Sequence, residues 1–135
     1  MRLRFSQTWG KDEPLTAVIR EALNLAIPPR YRDGLLVKVL YFTSLASKRR
    51  WRYRGNYRLA VVHGLYPNEY GYKAVITMKL PRDLSIEKTV HFVGHEAGHH
   101  VSYAMTRRFG EKTADKYADK VVEKWTKRRD RKVEL

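Results

Sequence analysis

The chain has 135 residues, 43% of them hydrophobic, which suffices for one domain with a real core and falls short of two ordinary ones. It has no cysteine, so disulfides and thiolate metal sites are excluded. Lys and Arg number 28 against 14 Asp and Glu, and ion pairing within the chain cannot neutralise the resulting formal charge of +14. Two readings of that charge stand side by side: an acidic partner such as nucleic acid, or a densely charged thermophile surface. The single glutamine, Gln7, and the lack of cysteine fit the second. No apolar run approaches the roughly 20 residues of a membrane span. The opening segment, residues 1–6, lacks the apolar core of a signal peptide. The expectation is a cytoplasmic protein with no membrane segment.

Residues 1–11 are polar and basic without a clear period, and they read as a flexible tail. Glu13-Pro14 opens a helix, and Leu15, Val18, Ile19, Ala22, Leu23 and Ala26 follow at helical spacing until Pro28-Pro29 ends it. Three strand-like runs follow, at 35–43, 57–65 and 72–80. The third alternates most cleanly, with Tyr72, Ala74, Ile76, Met78 and Leu80 on one face and Lys73, Thr77 and Lys79 on the other. It is expected to form the rim of a cleft and to offer a free edge to an extended peptide. Between the first two runs lies a basic and aromatic segment containing Lys48, Arg49, Arg50, Trp51, Arg52, Tyr53 and Arg54. Such interleaving suits stacking on bases and neutralising phosphates, and equally suits a twisted hairpin with arginines packed on rings.

Ser85 is placed to cap a further helix, whose apolar stripe is Val90, Val93, Ala97, Val101, Ala104 and Met105. Gly110 reads as its stop. A last helix runs from about Glu111, with Ala114, Tyr117, Ala118, Val121, Val122 and Trp125 on its buried side. Residues 127–135 read as a second flexible tail. The sum is a single α+β domain over 1–135: an N-terminal helix, a three-stranded twisted sheet and two further helices.

The first of those two helices carries His95-Glu96-Ala97-Gly98-His99, an H-E-x-x-H motif. Residues four apart share a helix face, so both imidazoles can reach one metal ion while Glu96 holds a water beside it. A catalytic zinc wants three protein ligands and an open position. His100 points roughly 100° away from His99 around the helix and is a poor third. The metzincin continuation is excluded, because Met105 stands where its third histidine would be and Ser102 where its glycine would be. Glu111 lies along the buried stripe of the last helix. It reads as a third ligand, or as an N-terminal charge offsetting the helix dipole. A straight helix would put Glu111 roughly 18 Å from His99, so the chain must turn between them, and Gly110 permits that. Tyr103 is placed to donate to an oxyanion, or to sit in the core with a tethered hydroxyl. His91 reads as a structural histidine near the cleft, and His63 as incidental.

His95-Glu96-Ala97-Gly98-His99 followed by Glu111-Lys112-Thr113-Ala114-Asp115 resembles the gluzincin pattern of H-E-x-x-H with a downstream E-x-x-x-D on a glutamate helix. The size and element order resemble the minigluzincins and the peptidase domains of ImmA/IrrE-type repressor-cleaving proteins. That resemblance implies a zincin-like mini-domain in which His95, His99 and Glu111 bind Zn2+. It implies Glu96 as general base and acid, Asp115 orienting a ligand histidine, and a peptide or protein as substrate. The competing expectation is a basic nucleic-acid-binding module, using Lys48, Arg49, Arg50, Arg52 and Arg54, that keeps zinc for structure. An intact Glu96 argues against it, since a structural site needs no base.

Overall fold

The computed structural model describes residues 1–6, 9, 13–41, 54–81, 83–108 and 110–134. Four strands, β1 (Arg2–Phe5), β2 (Leu35–Tyr41), β3 (Arg54–Leu59) and β4 (Ala74–Leu80), form one mixed sheet in the order β1-β2-β4-β3. β1 and β2 run parallel, as do β2 and β4, while β3 lies antiparallel to β4. The helices are α1 (Leu15–Ala26), a single turn α2 (Ala60–His63), α3 (Ile86–Thr106) and α4 (Glu111–Glu134). The α+β class expected from the sequence holds, with a fourth strand added. Both segments read as tails contain regular structure: β1 lies in one, and α4 continues through the other to Glu134.

One apolar cluster holds these layers together. Leu35, Val37 and Val39 of β2, Ala74, Ile76, Met78 and Leu80 of β4, and Tyr57 and Leu59 of β3 share it with Ile19 and Leu23 of α1, Val90, Val93 and Ala97 of α3, and Val121 and Trp125 of α4. The alternation read in 72–80 therefore chooses the correct face. Its strand, however, is interior. β4 lies between β2 and β3, so the free edge expected there belongs to β3, and β3 forms the rim of the cleft. The run at 57–65 also splits: pairing stops at Leu59, and residues 60–63 coil into α2.

Local chemistry sets the helix ends. α1 finishes where Pro28 and Pro29 remove donors, and Arg32 covers its last carbonyls, donating to Ile27 O at 2.8 Å and Asn24 O at 3.1 Å. The Ser85 hydroxyl caps α3 by accepting from Lys88 N. α3 ends at Arg107, which takes the left-handed conformation at φ 62° and donates its N–H to Tyr103 O. Gly110 is not that stop: its carbonyl instead accepts the first bond of α4, from Ala114 N. Met105, placed on the α3 core stripe by its spacing, is 64% exposed because the stripe has rotated off the core by the last turn.

α3 and α4 pack very closely. A Cβ on Gly94 would sit 3.0 Å from Val121 Cβ and 3.1 Å from Ala118 Cα, and one on Gly98 would sit 3.3 Å from Ala114 Cα. Small residues four apart on α3 thus meet Ala114 and Ala118 on α4, and backbones approach where side chains would hold them apart. That approach carries the first turns of α4 to the H-E-x-x-H face. The Tyr117 hydroxyl donates to Ala26 O and ties α4 to the end of α1.

Candidate metal centre and its cleft

His95, Glu96 and His99 form a group that could hold a metal ion, with one donor atom from each lying within 4.8 Å of the others. The two rings stand nearly perpendicular, at 88°, with centroids 4.8 Å apart. From α4, Glu111 reaches both: its carboxylate oxygens lie 2.9 Å from His95 Nε2 and 3.3 Å from His99 Nε2. The Glu111 side chain is 78% exposed, so it is not on the apolar stripe where its spacing placed it. It occupies the open first turn of α4 and extends across the groove.

Asp115, one turn along α4, accepts from His95 Nδ1 at 2.7 Å. A carboxylate accepts only, so Nδ1 carries the proton and Nε2 presents its lone pair to the groove. Two imidazole nitrogens and a carboxylate then converge on one space. Lone pairs and negative oxygens at such distances repel unless a proton or cation lies among them. The donor set, two histidine nitrogens with a carboxylate, therefore fits a zinc-type ion.

Glu96 is 5% exposed and points into the same space. Burial pushes its carboxyl up to about 7, with the His95 ring pulling down and Glu111 pushing further up. Burial also lowers His99 below its ordinary value. Above Glu96 runs the edge strand. A Cβ on Gly55 would come within 1.9 Å of the Glu96 carboxyl carbon, so glycine is required for this approach. Gly55, Asn56 and Tyr57 close the cleft over His95, Glu96, His99 and Glu111, leaving a pocket of about 280 Å³.

His100 stands outside the donor set, as its angle on the helix predicts. Its Nε2–H donates to Tyr31 O at 2.7 Å, so its Nδ1 accepts from the Tyr57 hydroxyl at 2.8 Å. This relay fastens β3 to α3. Burial raises the Tyr57 phenol well above its ordinary range.

Tyr103 is not brought into the metal pocket. It lines a neighbouring cavity on the other side of Tyr57, beneath the Arg107 guanidinium. His91 is at the cleft edge, 3.1 Å from Asp119. Lys48, Arg49, Arg50 and Arg52 lie outside the described residues, and Arg54 is exposed at the start of β3. Sequence reasoning missed Gly55, Tyr57, Gly94 and Gly98. The glycines at 94 and 98, four apart inside the motif helix, were a usable signal for close helix packing.

Among the described residues, no helix is long and apolar enough to cross a membrane. The chain shows no significant match to any protein-family model, curated protein or solved structure.

Proposed function

We propose that the chain is a zinc-dependent endopeptidase of the gluzincin type. The observation that carries this reading is the pairing of a buried carboxyl held near neutrality, Glu96, with three converging donors, His95 Nε2, His99 Nε2 and Glu111, in one open cleft. His95, His99 and Glu111 would hold the ion, and zinc, when bound, supplies Lewis acidity to the scissile carbonyl and to the attacking water.

The remaining work falls to the chain. Glu96 takes a proton from the water as the new C–O bond forms, then delivers it to the amine nitrogen as the C–N bond breaks. A carboxyl poised near 7 suits both halves of that transfer. Asp115 holds His95 in the tautomer that leaves Nε2 free.

The edge of β3 supports an extended substrate. Ala60 N donates to Lys73 O, and that pair continues the β3–β4 register. Antiparallel ladders alternate, so Arg54, Asn56 and Arg58 face β4 while the backbone groups of Gly55, Tyr57 and Leu59 face outward. Two of these three outward positions, Gly55 and Tyr57, line the metal pocket itself.

Two variants test the reading through zinc content by elemental analysis and hydrolysis of a peptide mixture. Glu96→Gln keeps about one zinc per chain and loses ~10²–10⁴-fold in hydrolysis, the usual contribution of general acid–base catalysis. Glu111→Ala loses zinc and hydrolysis together. Full hydrolysis by Glu96→Gln, or full zinc in Glu111→Ala, would overturn the assignment.

A further inference from the structure

Tyr57 is a shared wall. Beyond it lies a second cavity of about 320 Å³, lined by Leu59 and Val61 from the β3 end and by Tyr103, Ala104 and Arg107 from α3. Val61 is 86% exposed at its mouth. A large aliphatic side chain so open to water is unusual on a rigid turn. The turn is held in place: His63 Nδ1 accepts from Leu59 N–H at 3.0 Å, and Gly64, at φ 77°, ends α2.

That bond also closes the ladder. Of the outward-facing donors on β3, Leu59 N–H is already engaged by His63, so an added peptide strand can use Gly55 and Tyr57 and then finds no further donor. Where backbone pairing stops, the apolar cavity begins. Residues two apart on a strand share a face and stand roughly 6.6 Å apart, close to the step from the metal pocket at Gly55 to the shared wall at Tyr57.

We propose that this cavity selects the substrate: it receives a bulky apolar side chain carried about two residues from the bond that lies over Glu96. The inference rests on the peptidase reading given above. Antiparallel pairing is the stronger arrangement per residue, and a peptide antiparallel to β3 lays its earlier residues toward Leu59. The selected side chain is therefore on the amino-terminal side of the scissile bond. Tyr103 contributes as a wall of this cavity.

The test separates binding from cleavage. Zinc-loaded full-length Glu96→Gln is titrated with fluorescent peptides that carry Phe, Leu or Ala at the second position before the cleavage site, and binding is read by anisotropy. Phe and Leu peptides bind on the order of 10- to 100-fold more tightly than the Ala peptide, the range an apolar pocket discriminates. Filling the cavity with Ala104→Phe removes that preference. So does Val61→Asp, whose exposed position leaves folding undisturbed. Equal binding of the three peptides, no binding of any, a preference at another position, or a preference that survives both substitutions overturns the pocket. Wild-type cleavage sites in the same peptides are mapped by mass spectrometry. Cleavage without the apolar preference overturns the pocket and leaves the peptidase reading standing. Selective binding without any cleavage by wild type does the reverse.

Discussion

Two buried glutamates lie on opposite sides of the same sheet, and their surroundings drive them in opposite directions. Glu96, on the helix-covered side, has the His95 ring at 4.0 Å, and burial pushes its carboxyl up to about 7. Glu69, on the other side, is 0% exposed yet is drawn down to about 2. The difference is the company each keeps. The Arg58 guanidinium grips both Glu69 oxygens, Lys38 Nζ donates at 3.0 Å and Tyr66 N at 2.8 Å. Burial alone disfavours the charge, whereas burial under a bidentate arginine fixes it. The first glutamate can exchange a proton near neutral pH. The second is a permanent anion that pins the 66–70 segment across β2 and β3.

The largest expected effect comes from crowding the reactive carboxyl. Gly55→Ala puts a methyl where the Glu96 carboxyl now lies, so peptide hydrolysis should fall on the order of 10²-fold, the cost of misplacing a reacting group by about an ångström. Zinc content should be unchanged, because the ligands lie below. Wild-type hydrolysis in this variant would show that β3 yields freely and that the close approach has no role.

The structural carboxylate should respond in stability instead. Glu69→Ala leaves Arg58 and Lys38 without their anion, and denaturant unfolding should show a loss of about 3 kcal/mol, the low end for breaking a buried pair because both cations reach water. Glu96→Gln should unfold near wild type, since it removes a carboxyl whose charge burial already disfavours. If the two variants lost equal stability, the contrast between the two sites would collapse.

A smaller effect appears in acid. The folded value of Glu69, about 2, lies below its ordinary value of 4.5, so the folded state binds fewer protons there than the unfolded state. Its contribution is complete above about 4.5 and fades as pH falls toward 2. Thermal melts across that window should show a wild-type decline that Glu69→Gln flattens. A decline of the same steepness in both would remove Glu69 as its source.

Much of this contrast was legible in the chain, on one side of the sheet. H-E-x-x-H, the Ser85 cap and the apolar stripes of α1, α3 and α4 declare themselves because helical period and capping are local. Glu69 does not, because its partners Lys38 and Arg58 come from two strands that only the folded sheet brings together. β1 was too short: Arg2-Leu3-Arg4-Phe5 alternates, but four residues with two arginines do not stand out as a strand. The position of β4 between β2 and β3 is a matter of crossover, which periodicity does not encode. Val61 and Val62 made the α2 turn look like more strand, although both point into solvent.

An open strand edge invites more than a substrate. The outward backbone groups of Gly55 and Tyr57 would serve a second copy of the chain equally well, and edge-to-edge pairing is the usual route by which sheets aggregate. The charge of +14 gives a counterweight with no reference to any partner. Two molecules approaching edge to edge repel before their ladders can join, while a short peptide carries no such burden. The colloidal behaviour of the protein is thus tied to its ionic surroundings. As the Debye length shrinks from about 10 Å at 0.1 M salt to about 3 Å at 1 M, the edge loses its protection, and light scattering should register self-association there first.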